Sequence, residues 1–89
     1  MITNPDFEIV KFAEDYMAVP VGMEATSFHG IVALSEPAAY LLDMMREPKT
    51  TEELILKLME RYDVDRSVAE DDVKAILNRF REMNLAIEA

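Results

Sequence analysis

The chain has 89 residues, of which 51% are hydrophobic, and it carries a formal charge of −9 from 18 acidic and 9 basic side chains. This length suits one domain spanning residues 1–89 and leaves little apolar material for walls around a deep catalytic cavity. The absence of cysteine excludes disulfides, thiolate metal sites and iron–sulfur clusters, and the acidic surface disfavours polyphosphate partners.

Three short segments in the first third of the chain have the composition of β-strands, with β-branched and aromatic side chains between turn signals. These segments are residues 7–12, 16–21 and 31–34. The short connection at residues 13–15 has hairpin length, so the first two strands are predicted to pair antiparallel. Gly22 and Gly30, the only glycines, flank the loop into the third strand.

After the third strand the apolar spacing changes to the period of an α-helix. Ser35 is a favoured N-cap for a first helix, which Pro48 ends. Thr50 and Glu53 have the spacing of a capping box, which predicts that a second helix starts there.

A third helix is predicted over residues 67–83, with Asp65 as its cap. Asn84 follows at a position suited to the left-handed conformation that often ends a helix. Leu85 and Ile87 are then expected to return to the core. The predicted core stripe of this helix is Ala69, Val73, Ile76, Leu77 and Phe80.

The order of these elements predicts an α+β fold of the winged helix-turn-helix type, a three-stranded antiparallel sheet followed by three helices. Three strands are too few to close on themselves, so at least one sheet edge is expected to stay open. An open edge permits pairing with another chain, and a homodimer is one form that such pairing takes.

Reactive side chains are few. His29 is the only histidine, and without a cysteine or another evident partner it is interpreted as a loop residue with no catalytic role. The acidic clusters at 52–53 and 70–72 lie in first helical turns, where carboxylates favour the helix dipole, and they do not match an EF-hand. The sequence therefore predicts no enzyme activity, no metal site and no cofactor.

Neither membranes nor nucleic acids are predicted partners. No apolar run approaches the ~18 residues of a membrane span, and the N-terminus lacks a secretory signal, so the chain is expected in the cytoplasm. A winged helix suggests DNA binding, but residues 70–72 would place three carboxylates at the phosphates, with Arg79 and Arg81 farther along. A regulatory or dimerisation winged helix remains the alternative function.

Four segments together resemble the PqqD family, the small peptide chaperones of pyrroloquinoline quinone biosynthesis and the related precursor-peptide recognition elements. The segments are LSEPAAYLL at 34–42, KTTEEL at 49–54, YDVD at 62–65, and residues 73–85. Ser35 stands where the family often has asparagine, and Asn84 where it often has glycine. These departures suggest a relative of PqqD rather than PqqD itself. They leave the identity of the client peptide and of its biosynthetic pathway open.

The resemblance implies that the leader of a ribosomally synthesised precursor peptide pairs with the third strand, at Ile31, Val32, Ala33 and Leu34. It also implies that the leader lies between this strand and the third helix. Delivery to a peptide-modifying enzyme, often a radical S-adenosylmethionine enzyme, is implied as well.

One flank of the third helix is a candidate wall of that groove. Val68, Asp72, Arg79 and Met83 form a mixed strip, whereas the other flank carries only charged side chains. Apolar contacts with a few orienting charges are typical of a peptide-binding surface. The alternative is that Val68 and Met83 only widen the core stripe.

Overall fold

The computed structural model describes residues 1–21 and 31–88, and in these ranges the chain forms five strands and three helices. The strands are β1 (Ile2–Thr3), β2 (Phe7–Phe12), β3 (Asp15–Pro20), β4 (Val32–Leu34) and β5 (Ala86–Ile87). The helices are α1 (Glu36–Met44), α2 (Thr51–Tyr62) and α3 (Arg66–Glu82). The predicted loop with Gly22, His29 and Gly30 lies outside the described residues.

Strands β2, β3 and β4 form an antiparallel sheet in that order, followed by the three helices, so the predicted fold class and the first hairpin are confirmed. The ladder between β3 and β4 has Tyr16 opposite Leu34, and its last pair is Ala18 with Val32. The predicted start of the third strand at Ile31 is therefore one residue too early, because Ile31 lies beyond the ladder and is 60% exposed.

A second sheet, which the sequence did not predict, joins the two ends of the chain. Strand β1 pairs antiparallel with β5, in a register that sets Ile2 opposite Ile87. Asn4 is buried and strengthens this closure, because its side-chain amide donates to the carbonyl of Asn84 at 2.9 Å. The expectation that Ile87 is buried is wrong, since successive strand side chains alternate and Ala86 takes the inward position.

The helix caps follow the predicted signals. The Ser35 hydroxyl accepts the Ala38 amide at 3.2 Å, and Thr50 forms the predicted capping box with Glu53. Asp65 occupies the N-cap of α3, but its side chain makes no capping hydrogen bond. Helix α3 begins and ends one residue earlier than predicted.

The core is built around α3. Its predicted stripe is confirmed except at Ile76, which is half-buried at the edge of the core. The largest fully buried side chains are Phe80, Leu41, Leu42, Met45, Leu54, Leu58, Leu85 and Val73. Among the described helices, none is long and apolar enough to cross a lipid bilayer. Helix α3 packs mainly against α2, and its C-terminal half shares a cavity lining with β4 and the start of α1.

Candidate functional site

A groove lies between β4 and α3, and we call it the β4–α3 groove. It encloses a cavity of about 90 Å³. The lining residues are Ala33, Leu34, Ser35, Ala38, Ile76, Arg79, Phe80 and Leu85. Phe80 and Leu85 are buried core residues, so they supply a rigid apolar floor, while Arg79 is exposed at the wall. Such a combination suits an apolar side chain with one orienting polar contact.

The strand that borders this groove is an edge strand. Within residues 1–21 and 31–88, β4 pairs only with β3 and has no strand on its other side. In an antiparallel sheet alternate residues direct their N–H and C=O groups to the same side. The outer side of β4 therefore offers backbone donors and acceptors to a further strand.

Arg79 differs in its surroundings from the other arginines of the described chain. The chain has five arginines, and four of them contact carboxylates. These pairs are Arg46–Asp43, Arg61–Glu36, Arg66–Glu52 and Arg81–Glu88. The side chain of Arg79 makes no ion pair or hydrogen bond with any residue in the described ranges, whereas its backbone carbonyl accepts the amide of Met83. Its guanidinium is therefore available to a ligand in the β4–α3 groove.

A second depression lies two helical turns along the same flank of α3, near the start of α1. Its volume is about 160 Å³, and it is lined by Pro37, Leu58, Tyr62, Val64 and Asp72. Seven residues separate Asp72 from Arg79, which corresponds to about 10 Å along a helix axis. The two side chains therefore bracket a stretch that a short extended segment of about three residues could span.

Comparisons with known proteins identify the family and the fold of this chain. The family described as coenzyme PQQ synthesis protein D (PqqD) matches residues 13–86. The chain belongs to the PqqD family. No curated protein matches the sequence. A solved structure, TbiB1 in complex with the TbiA(beta) leader peptide, is similar with a TM-score of 0.75 and 16% identity, covering 96% of this chain and 93% of that chain.

Of the eight site residues predicted for this PqqD-family chain, four line one of the two cavities and four do not. The structure brings Ala33, Leu34 and Arg79 together around the β4–α3 groove, and it places Asp72 in the neighbouring depression. Val32 is buried in the sheet, and Ile31 precedes it in exposed backbone.

The apolar ends of the predicted strip line neither cavity. Val68 is 46% exposed near the start of α3, and Met83 is half-buried against the core. The alternative interpretation, that these side chains widen the core stripe, fits Met83 better than Val68.

Sequence reasoning missed Ile76 and Leu85 as groove residues, because both were assigned to the core. Ile76 lies four residues after Asp72 and three before Arg79, so helical spacing places it on the same flank. That spacing was the available signal for Ile76. Leu85 follows the helix, and its position depends on the unpredicted β1–β5 sheet, so no local pattern identifies it.

Exposed polar contacts join α2 to the other two helices. Arg66 donates from Nη1 to Oε2 of Glu52 at 2.7 Å, and this contact lowers the pKa of Glu52 below its ordinary value. Tyr62 donates its hydroxyl to Glu36 at 2.9 Å, and burial raises its pKa. These contacts join the two ends of α2 to Arg66 at the start of α3 and to Glu36 at the start of α1.

Two larger cavities, of about 340 and 400 Å³, lie away from α3. The first borders β1 and β2, and the second lies between the sheet and α1. Their arginines, Arg46 and Arg61, are already paired with carboxylates. The β4–α3 groove is smaller, but it combines an open strand edge, a buried apolar floor and an unpaired cation, so it is the stronger candidate site.

Proposed function

We propose that this chain is a non-catalytic recognition element that binds the leader segment of a ribosomally synthesised precursor peptide. The leader adds as a strand to β4 and lies against α3. The observation that carries this proposal is the open edge of β4 beside the apolar β4–α3 groove. Strand addition takes its affinity from backbone hydrogen bonds and its selectivity from pockets for alternate side chains.

Membership of the PqqD family supports a peptide-binding role without catalysis. The similar TbiB1 structure also supports a peptide-binding role, because that protein was solved in complex with a leader peptide. We assign the contact surface to Ile31, Val32, Ala33 and Leu34 on the strand side, and to Val68, Asp72 and Arg79 on the helix side, while Met83 packs against the core. Ile76 and Leu85 complete it from within the groove.

The bound leader is then presented to a modifying enzyme, for which we propose the radical S-adenosylmethionine class. The recognition element itself needs no cofactor for this task, because it only raises the local concentration of the peptide at the enzyme. In an assay that combines this chain with a precursor peptide that it binds and the enzyme that modifies that precursor, variants of the β4–α3 groove should slow modification of the full precursor. They should not change modification of a peptide without its leader.

The direct test is calorimetric titration of a candidate leader peptide into the wild type, Asp72→Asn and Arg79→Gln. Both variants should bind more weakly while their melting temperatures stay at the wild-type value, since both side chains are exposed. Lys74→Gln, an exposed basic residue on the other flank, is the matched control and should bind as the wild type does. Unchanged affinity in both Asp72 and Arg79 variants would rule out this placement of the peptide.

A further inference from the structure

We propose that the segment recognised in the β4–α3 groove carries an acidic side chain two positions from an aliphatic one, and that Arg79 selects the acid. This inference rests on the proposed function and makes it specific by naming the chemical class of peptide. Three observations carry it: the unpaired guanidinium of Arg79, the size and lining of the cavity beside it, and the geometry of an added strand.

The state of Arg79 is unusual for this chain. Acidic side chains outnumber basic ones by 18 to 9, so carboxylate partners are abundant. Glu82 lies three residues further along α3, at a spacing that permits an ion pair, yet no ion pair forms there. Arg79 instead lines the cavity with Ile76 and Phe80. The N–H donors of this guanidinium are free to bind a planar acceptor through two parallel hydrogen bonds. On a peptide, a carboxylate has the geometry of such an acceptor.

The cavity beside Arg79 fits one side chain of moderate size. Its volume of about 90 Å³ exceeds the ~10–15 Å³ that one water molecule needs and is below the ~150 Å³ of a cavity that holds benzene. Ala38, Phe80 and Leu85 are buried apolar residues of its lining, so an apolar side chain on this side of the cavity leaves no polar group without a hydrogen bond, and the polar contact is made by Arg79 at the wall. An aliphatic side chain such as valine, leucine or isoleucine satisfies both limits.

Strand geometry fixes the spacing between the two side chains. Residues i and i+2 of a strand point to the same face and lie about 7 Å apart. The aliphatic side chain and the acid must both face α3, because the cavity and Arg79 both belong to that side of the groove. A residue two positions from the cavity is within reach of the long Arg79 side chain, whereas its immediate neighbour points away.

The overall charge of the chain cannot explain a preference for an acidic residue in the peptide. A surface of formal charge −9 repels acidic peptides and attracts basic ones at long range. A preference for acid at one position therefore has to come from a local contact. Arg79 is the cation in contact with the groove lining, whereas Arg81 on the other flank is paired with Glu88.

Selection of peptides from a random displayed library on the full-length chain tests this inference. Three immobilised proteins are used: the wild type, Arg79→Glu, and the matched control Arg81→Glu. The wild type and the control should enrich Asp or Glu two positions from an aliphatic residue. Arg79→Glu should lose this preference and enrich Lys or Arg at the same position. Melting curves of the three proteins show that each is folded, as expected for exposed positions.

Selected peptides are then titrated into isotopically labelled protein to show where they bind. Peptides that shift the amide signals of β4 but show no acidic preference, or the same preference with Arg79→Glu, overturn the inference and leave the proposed function intact. If no enriched peptide shifts β4, the proposed function itself fails, and the inference fails with it.

Affinities provide a quantitative measure of the contact. Replacing the acid of a selected peptide by its amide should weaken binding to the wild type about tenfold, as expected for a charge-assisted hydrogen bond. The same replacement should have little effect on binding to Arg79→Gln, since the partner is already absent. Equal losses in both proteins would show that the acid contacts another residue and would overturn the assignment to Arg79.

Discussion

Methylation of single backbone nitrogens along a bound peptide probes strand addition without changing any side chain. If the guest pairs with β4, its residues alternate between those whose N–H points to β4 and those whose N–H points to solvent. N-methylation removes the N–H donor of one peptide residue. It weakens binding only where that N–H is hydrogen-bonded to β4. The loss of affinity should therefore rise and fall with a period of two along the peptide.

The size of the expected loss of affinity follows from the backbone groups that the edge of β4 offers to a guest. Over Ile31–Leu34, alternate residues direct their backbone groups outward, so about two N–H and two C=O groups face a guest. Each resulting bond has a net value of about 1 kcal/mol, and a β4 carbonyl left unpaired in the complex adds to the loss. Methylation at a bonded position should weaken binding by about 1–2 kcal/mol, or about 5- to 30-fold.

Fluorescence anisotropy with a labelled peptide from the selection measures this profile, with one methylated variant for each position. The interleaved positions serve as internal controls and should change much less. A profile without alternation, or one loss confined to the aliphatic position, would refute strand addition. It would indicate that the peptide binds by its side chains alone.

The remaining predictions concern the scaffold that holds the site. Thr50→Ala removes one of the two hydrogen bonds of the capping box and should cost about 1 kcal/mol and lower the melting temperature by about 4–8 °C, whereas Thr51→Ala should change it much less. Asn84 has a φ of 58°, so Asn84→Ala should destabilise by about 1–2 kcal/mol in chemical denaturation and Asn84→Gly should destabilise less. The bond from the Thr50 amide lowers the pKa of Glu53 below its ordinary value, so its contribution to stability is present above the unfolded-state pKa and is lost as the pH falls through the folded-state pKa. Glu53→Gln should reduce this acid dependence of the melting temperature, and an unchanged dependence would contradict the assignment.

Local signals in the sequence were enough for most of the fold. The hairpin of β2 and β3, the caps at Ser35 and Thr50, and the left-handed Asn84 all depend on residues within a few positions of each other. The β1–β5 sheet could not be predicted in this way. Two-residue strands have no periodicity, and their pairing joins the two ends of the chain.

The sequence predicted only part of the candidate site, because local spacing identifies a helix flank but not the side-chain contacts on it. Helical spacing placed Asp72 and Arg79 on one flank of α3, and the structure finds each beside a depression. Spacing alone does not tell a half-buried residue from a buried one, so Ile76 was assigned wholly to the core. Among residues 1–21 and 31–88 Arg79 has no carboxylate partner, and this depends on side-chain positions, which no sequence pattern specifies.

Nuclear Overhauser contacts between the backbone of an unlabelled peptide and that of the labelled protein measure where a guest chain lies. The protein offers its own comparison, because β2 is the other edge of the same sheet and also borders a cavity. We expect contacts to Val32, Ala33 and Leu34, with none to β2. Contacts to β2, or a bound peptide without backbone contacts to either edge, would contradict the account.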